Sequence, residues 1–372
     1  MIAGRQAGLD LLELRGVARR LGGVLALDGI DLRLSPGERL AIVGPSGSGK
    51  TTLLRVIAGL DPPTAGNVLL DGKDALGLPP GARGIAMVCQ DPALFPHMTV
   101  AQNIAFGLSG RGLARAEVRH RVAGTARLLG IGDLLDRLPS RISGGQAQRT
   151  ALGRAIAAGS RILLLDEPFS GLEPGLRSAL RRALLDIHGD RHFAIIHVTH
   201  DPAEAMVLGD RLAVMRSGRI EQEGRPTEVL EGPRTAFVAG FLGSPARSIV
   251  ESGIFGSEQE PAARLGGALV PLPPRTGTIP PGTARILLGL GPRSVRPVAP
   301  VPGLPRGLVA GVERTDREDL VRIRLEGARQ DEAVVAAVPQ GSSPAVGSEV
   351  GLAIDPAGIR IFDAGTGLAL AP

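Results

Sequence analysis

Tryptophan and tyrosine are absent from the chain, phenylalanine occurs eight times and cysteine once. With so few rings to stack on bases, and with arginines scattered among acids, a nucleic-acid surface is poorly supported despite the net charge of +5. A single cysteine excludes an internal disulfide. Cys89 lies in an apolar run, which predicts a buried structural thiol. There is no run of about 18 apolar residues, so no membrane-spanning helix is expected. The N-terminal residues lack a charged-then-apolar leader pattern, and the expected location is cytoplasmic. Lysine is scarce too. Of 42 basic residues only Lys50 and Lys73 are lysines.

One of those two lysines falls in the stretch around which the rest is organised. Arg39 to Gly59 reads RLAIVGPSGSGKTTLLRVIAG. Leu40 to Val43 predict a short strand. Gly44-Pro45-Ser46-Gly47-Ser48-Gly49-Lys50-Thr51 fits G-x-x-x-x-G-K-[ST], with Thr52 following. Leu53, Leu54, Ile57 and Ala58 then recur at helical spacing until Gly59. Glycines let the backbone curl so that successive N–H groups face one concavity at a positive helix end, an anion site. Lys50 supplies a charge for the β- and γ-phosphates of a nucleotide, and the Thr51 hydroxyl a ligand for Mg²⁺.

The flanking chain reads as a mixed α/β domain. Period-two stretches at 10–17 and 24–34 predict antiparallel strands. Ser35-Pro36-Gly37 predicts a turn, 68–72 and 85–88 short strands, and 98–158 a helical region. Ser143 is a good N-cap for a helix carrying Ala151, Leu152, Ala155 and Ile156 on one side. Ile162 to Leu165 is unbroken and apolar, the mark of a strand buried on both faces of a parallel sheet. A second such run covers 193–198, and 212–223 reads as a hairpin. After Gly243 the composition shifts: 16 of the 30 prolines fall in the last 129 residues, among short alternating runs. The expected organisation is a nucleotide-binding domain over 1–243, with a helical subdomain at about 91–158, and a small all-β domain over 244–372. The segment 255–282 reads as a loose connection.

A phosphate loop fixes a class and not a function. Arg161 to Pro168 reads RILLLDEP, a buried strand delivering Asp166 and Glu167 to its C-terminal end, where ligands bind in open α/β sheets. Asp166 is placed to hold the Mg²⁺ shell and Glu167 to polarise an attacking water. Ile142 to Gln146 reads ISGGQ, with two glycines at a helix start.

Together these motifs resemble the ATP-binding-cassette ATPases, whose signature is LSGGQ. The resemblance implies a P-loop NTPase cassette with a mixed sheet and a helical subdomain. It implies ATP and Mg²⁺ as cofactors, bound by residues 44–52, with Thr51, Gln90 and Asp166 toward the metal. Gln90 matches the glutamine that senses Mg²⁺ and the attacking water, and His200, in VTHD, the switch histidine at the γ-phosphate. Ser143, Gly144, Gly145 and Gln146 of one subunit would close on the nucleotide of the other. The chain would therefore work as a homodimer, or as a heterodimer with another cassette subunit. Ser170-Gly171-Leu172-Glu173 matches the loop after the acidic pair, with Glu173 where the family has Asp. At the adenine-stacking position Leu21 replaces the usual aromatic residue, a change worth on the order of 1 kcal/mol.

Residues 91–106, DPALFPHMTVAQNIAF, match the region on which the family's membrane permease docks. The region is similar to that of importers for sugars, polyamines, iron or sulfate. The tail resembles the OB-like (TOBE) domain of the carbohydrate-uptake type, with GLGPR at Gly289 to Arg293. The resemblance implies an ATPase subunit at the cytoplasmic face of the membrane, fed indirectly by an extracytoplasmic binding protein. Two other classes stay open on the residues alone. A soluble cassette ATPase acting on nucleic acid or ribosomes would carry two cassettes or a long basic insertion. A small-molecule kinase would need a substrate lid and no SGGQ helix.

Overall fold

The computed structural model describes residues 10–108, 112–191, 193–257, 260–273, 285–327 and 332–370. Its first elements are an antiparallel pair, β1 (Leu12–Leu21) and β2 (Val24–Leu34), turned by Gly22 and Gly23 at positive φ. The Ser35 turn leads into β3 (Arg39–Val43), the glycine loop and α1 (Lys50–Ala58). Next come β4 (Ala65–Leu70), β5 (Lys73–Asp74) and β6 (Ile85–Val88). The helical stretch holds α2 (Val100–Phe106), α3 (Arg115–Leu128) and α4 (Gly144–Ala157). Then follow β7 (Ile162–Asp166), α5 (Pro174–Arg191), β8 (Ala194–Thr199) and α6 (Pro202–Leu208). The hairpin β9 (Arg211–Arg216) and β10 (Arg219–Gly224) precedes α7 (Pro226–Glu231) and α8 (Ala236–Phe241).

Two sheets build the first compact unit, which ends at Pro226. One is antiparallel in the order β2-β1-β4-β5; the other runs β10-β9-β3-β8-β7-β6, parallel from β9 through β6. Side-chain alternation gives the parallel sheet two apolar faces. Ile162, Leu164, Ala194 and Ile196 join the core shared with β1, β2 and α1, while Leu163, Leu165 and Ile195 join the core formed with α2 to α5. The strands covered on both faces are therefore the runs that read as unbroken apolar sequence. No helix among the described residues is long and apolar enough to cross a membrane.

The second unit, from Thr227, holds β11 (Ser248–Gly256), β12 (Pro261–Leu265), β13 (Ala268–Pro271), β14 (Arg285–Leu290) and β15 (Val295–Val298). It continues with β16 (Arg306–Arg314), β17 (Glu318–Leu325), β18 (Ala333–Pro339), β19 (Glu349–Ile354) and β20 (Ile359–Asp363). The strands form two five-stranded sheets, β13-β12-β11-β14-β20 and β15-β19-β16-β17-β18, around one apolar core, an all-β arrangement of OB-like kind. The unit begins ahead of the compositional boundary at 243/244 because Ala236 and Ala239 of α8 pack on Phe362 of β20.

Two expectations are corrected. The segment 255–282 is not a loose connection where it is described. It contains the hairpin β12–β13, with Leu265 paired to Ala268 across Gly266-Gly267. Residues 258–259 and 274–282 lie outside the described residues. Cys89 is exposed, not buried, because it falls just beyond Val88, the last residue of β6.

Candidate functional site

Because β3, β8, β7 and β6 are adjacent and parallel, their carboxyl ends share one edge of the sheet. The glycine loop leaves β3, His200 follows β8, Asp166 and Glu167 end β7, and Gln90 lies two residues past β6. Residues spread over more than a hundred positions of sequence thus meet at the edge where such sheets bind ligands.

The loop itself is shaped by close approach. Gly47 and Gly49 have φ of 78° and 103°. A Cβ on Gly44 would lie 2.1 Å from the Met215 carbonyl oxygen, and one on Gly49 2.4 Å from that of Ala26. Only glycine lets the loop curl against β2 and β9 in this way. Gly49 caps α1 with no side chain, leaving the first helical N–H groups to face the loop's concavity. Pro45 is half-buried and Ser46 exposed on the rim; Ser48 is buried, and Thr52 half-buried in the first turn of α1. Lys50, 6% exposed, donates to the carbonyls of Gly44 and Pro45, both at 2.8 Å, and approaches the Ser48 hydroxyl at 3.4 Å.

The Thr51 hydroxyl donates to Asp166 Oδ1 at 3.1 Å across 115 positions of sequence. Glu167 has a φ of 47°, a left-handed backbone uncommon in a non-glycine residue and found where a side chain must be aimed. Its N–H donates to the Val198 carbonyl at 2.9 Å, and its carboxylate meets His200 Nδ1 at 3.0 Å. The His200 side chain is mostly exposed, and that of Glu167 is partly buried.

Burial and charge oppose one another at this edge. Burial pushes the Asp166 carboxyl above its ordinary range, and the neighbouring Glu167 charge adds to this; Thr51 and Lys50 oppose it. Burial also pushes the Lys50 ammonium down, against the pull of Glu167 and Asp166. A carboxyl raised on folding contributes stability at acid pH that is lost as pH climbs through its folded value. Asp166→Asn keeps an acceptor for Thr51 and removes the buried charge. At neutral pH it is expected to stabilise the nucleotide-free protein by roughly 1 kcal/mol, a gain that disappears in acid where Asp166 is already protonated. Urea unfolding at the two pH values checks this; no gain at neutral pH would contradict it.

The donor set suits a small hard cation. A buried carboxylate and a hydroxyl 3.1 Å apart offer oxygen ligands, and Gln90 is exposed nearby on the adjacent strand end. No cluster of three or more His, Cys, Asp or Glu that could hold a metal by itself is found among the described residues.

The ISGGQ residues make a different structure. Ser143 caps α4: its hydroxyl accepts from Gln146 N–H at 3.3 Å, and Gln146 Oε1 accepts from Ser143 N–H at 2.9 Å. The reciprocal pair is a capping box. The hydrogen bonds of Ser143 to Gln146 are local to the start of α4, and Gly145 packs beside Leu172 and Leu176, in the segment that follows the acidic pair. A Cβ on Gly145 would press on Leu176 at 2.7 Å, whereas Gly144 faces open space. Leu21 ends β1 opposite Val24, both exposed, and Glu173 is exposed just before α5.

Several residues at this edge escape a reading by motif. Thr199, His197 and Glu204 are buried beneath His200. A helix start at Asp201-Pro202 is legible, with Asp at the N-cap and Pro at N1, and it would have placed Glu204 in the first turn. Arg154 of α4 donates to the carbonyls of Pro92 at 3.2 Å and Ala93 at 3.1 Å, and its guanidinium lies 5.5 Å from the Phe95 ring centroid. It ties the segment after Gln90 to the helix that begins at ISGGQ.

Comparisons with known proteins identify the family. A family described as ABC transporter matches residues 27–170. The sn-glycerol-3-phosphate import ATP-binding protein UgpC 1 of Rhizobium johnstonii is 39% identical over 362 residues, 96% of this chain and 95% of that protein. The alpha-glucoside transport ATP-binding protein AglK of Rhizobium meliloti is 40% identical over 354 residues, 95% and 97% of the two chains. Among solved structures, a dimeric post-hydrolysis ATP-binding cassette bound to ADP and Pi superposes with a TM-score of 0.54 at 29% identity, covering 58% of this chain and 98% of that one. The strand-edge geometry and the full-length similarity lead to one assignment: the chain belongs to the ABC transporter family, as an ATP-hydrolysing subunit of the import type.

Proposed function

We propose that the protein drives uptake of sugars or related small solutes through a membrane permease, by binding and hydrolysing ATP at two sites shared between two cassettes. The observation that carries this reading is the meeting of the glycine loop, Asp166, Glu167, His200 and Gln90 on one sheet edge, beside an exposed, capped ISGGQ helix start. The solute class is supported by the names of the relatives, which import sn-glycerol-3-phosphate and alpha-glucosides.

Residues 44–52 hold the phosphates, with Lys50 and the first N–H groups of α1 toward the β- and γ-phosphates. Thr51, Asp166 and Gln90 would hold Mg²⁺, which neutralises phosphate charge when bound. Glu167 takes the proton of the attacking water, and His200, in contact with Glu167, lies toward the γ-phosphate. Ser143, Gly144, Gly145 and Gln146 complete the site of a second copy, or of a different cassette subunit. The open helix start and exposed Gly144 leave room for a nucleotide from outside the chain.

Closure reaches the permease through 91–106. Phe95 and Phe106 pack with centroids 4.5 Å apart beside a groove of about 580 Å³ lined by His97, Met98, Gln102, Phe106, Leu108 and Val118. A permease segment docked there would feel movement of α4 through Arg154. An extracytoplasmic binding protein delivers the solute, and the subunit works at the cytoplasmic face without nucleic acid.

Ser143→Asp tests the shared site. Aspartate is as good an N-cap as serine, so the helix start is kept while a negative charge is set against the other copy's γ-phosphate. ATP turnover is expected to fall about 10²-fold, with ATP binding by the isolated chain unchanged. Unchanged turnover would contradict a shared site and favour a kinase.

A further inference from the structure

Beneath His200 lies a buried polar assembly that the hydrolytic reading leaves unused. Along β8 the side chains of Ile195, His197 and Thr199 alternate onto one face, the face that Ile195 packs into the core with α2 to α5. His197 and Thr199 are each 2% exposed and Glu204 4%. A buried carboxylate is costly unless it is hydrogen-bonded, and here it has specific contacts. Glu204 Oε2 accepts from the Thr199 hydroxyl at 3.0 Å, and Oε1 lies 3.0 Å from His197 Nε2. The Thr199 hydroxyl also accepts from the Asp201 N–H at 3.1 Å.

The consequence falls on the residue between. His200 is bracketed by Thr199 and Asp201, whose turn is closed by one hydroxyl, and that hydroxyl is pinned by a carboxylate from the first turn of α6. Asp201 in turn caps α6 through Ala203 N–H at 2.9 Å. The imidazole of His200 is itself 57% exposed and meets the Glu167 carboxylate at 3.0 Å. With more than half of the side chain in water, the backbone turn carries much of its positioning. The same assembly reaches the other reacting residue: the His197 ring lies 5.6 Å from that of Phe169, two positions after Glu167. Glu167 N–H is bonded to Val198 within β8.

We propose that Thr199 and Glu204 are positioning residues for ATP hydrolysis. Their hydrogen bonds fix the turn that presents His200 to Glu167 and the γ-phosphate. The proposal rests on the reading of His200 given above. A purely structural clamp would lower stability whatever residue stood at 200. A positioning clamp acts through His200 and has nothing to act on once the imidazole is removed.

A double-mutant cycle on the full-length chain separates these cases. Steady-state turnover and KM for ATP would be measured for wild type, Thr199→Val, Thr199→Ser, His200→Ala and the Thr199→Val/His200→Ala pair, with melting temperatures alongside. Thr199→Val keeps the shape and removes the hydroxyl; it is expected to lower kcat about tenfold with little change in KM. Thr199→Ser restores turnover. His200→Ala is expected to lower kcat about 10²-fold, and adding Thr199→Val to it costs nothing more. Loss in His200→Ala with full turnover in Thr199→Val, or losses that multiply in the pair, would overturn the proposal alone. Full turnover in His200→Ala would overturn the reading of His200 and the proposal with it. If valine unfolds the chain, Thr199→Ala takes its place in the cycle. Unfolding of both, with Thr199→Ser intact, would make the hydroxyl a stability element and overturn the positioning role.

Discussion

Glu167→Gln is expected to lower ATP turnover by at least about 10³-fold while leaving ATP bound. The substitution preserves size and leaves the amide able to meet His200, now at 3.0 Å, so the geometry of the edge survives. What it removes is the more accessible carboxylate at the end of β7: Glu167 is partly exposed, whereas Asp166 beside it is buried and committed to Thr51. The left-handed backbone at Glu167 aims this side chain out of the strand, and the bond from its N–H to Val198 fixes the aim. Glutamine accepts no proton from water, so the loss appears in kcat. Phosphate release measured beside equilibrium nucleotide binding checks the split. Turnover within tenfold of wild type, roughly the scale of a positioning effect, would move the base elsewhere.

Lys50→Ala is expected to weaken ATP binding about 10²-fold, the scale of a charge-assisted hydrogen bond to phosphate, and to remove measurable hydrolysis at ordinary ATP concentrations. The ammonium is held among the loop's own carbonyls, desolvated, with its pKa pushed down by burial. A charge kept in such a place, beside two carboxylates, is poised for a more negative partner than the chain itself supplies. Triphosphate is that partner. The Gly44 and Gly49 contacts with backbone keep the loop curled in the variant, so the defect is one of charge and not of shape. Titration calorimetry would show it; wild-type affinity would remove Lys50 from the phosphate site.

The sequence disclosed what is local. Gly44 to Thr51 specify their own backbone, Ser143 and Gln146 are three apart and cap one another, and Ile162 to Leu165 are apolar because both faces are covered. Strand order was beyond it. Nothing in the spacing says that β6 lies beside β7, so the closeness of Gln90 to the acidic pair came from family likeness and not from the residues. The roles of Thr199 and Glu204 are not legible in the sequence, since a hydroxyl next to a histidine looks incidental until the helix start brings the carboxylate to it. Helix α5 carries Leu180, Leu184 and Ile187 at helical spacing, buried, under an arginine-rich surface that hid the pattern. The β12–β13 hairpin was concealed by its prolines, although a Gly-Gly pair between short apolar runs is a hairpin signal. Cys89 is exposed because a single residue separates the end of β6 from solvent.

The central claim is that two cassettes share their ATP sites. The most direct test is the molar mass of Glu167→Gln protein by light scattering, with and without Mg-ATP, since blocked hydrolysis leaves the closed state populated. The mass is predicted to double with Mg-ATP and to stay single when Lys50→Ala is added. A single mass throughout, with ATP shown to be bound, would contradict a homodimer closing on its own nucleotide.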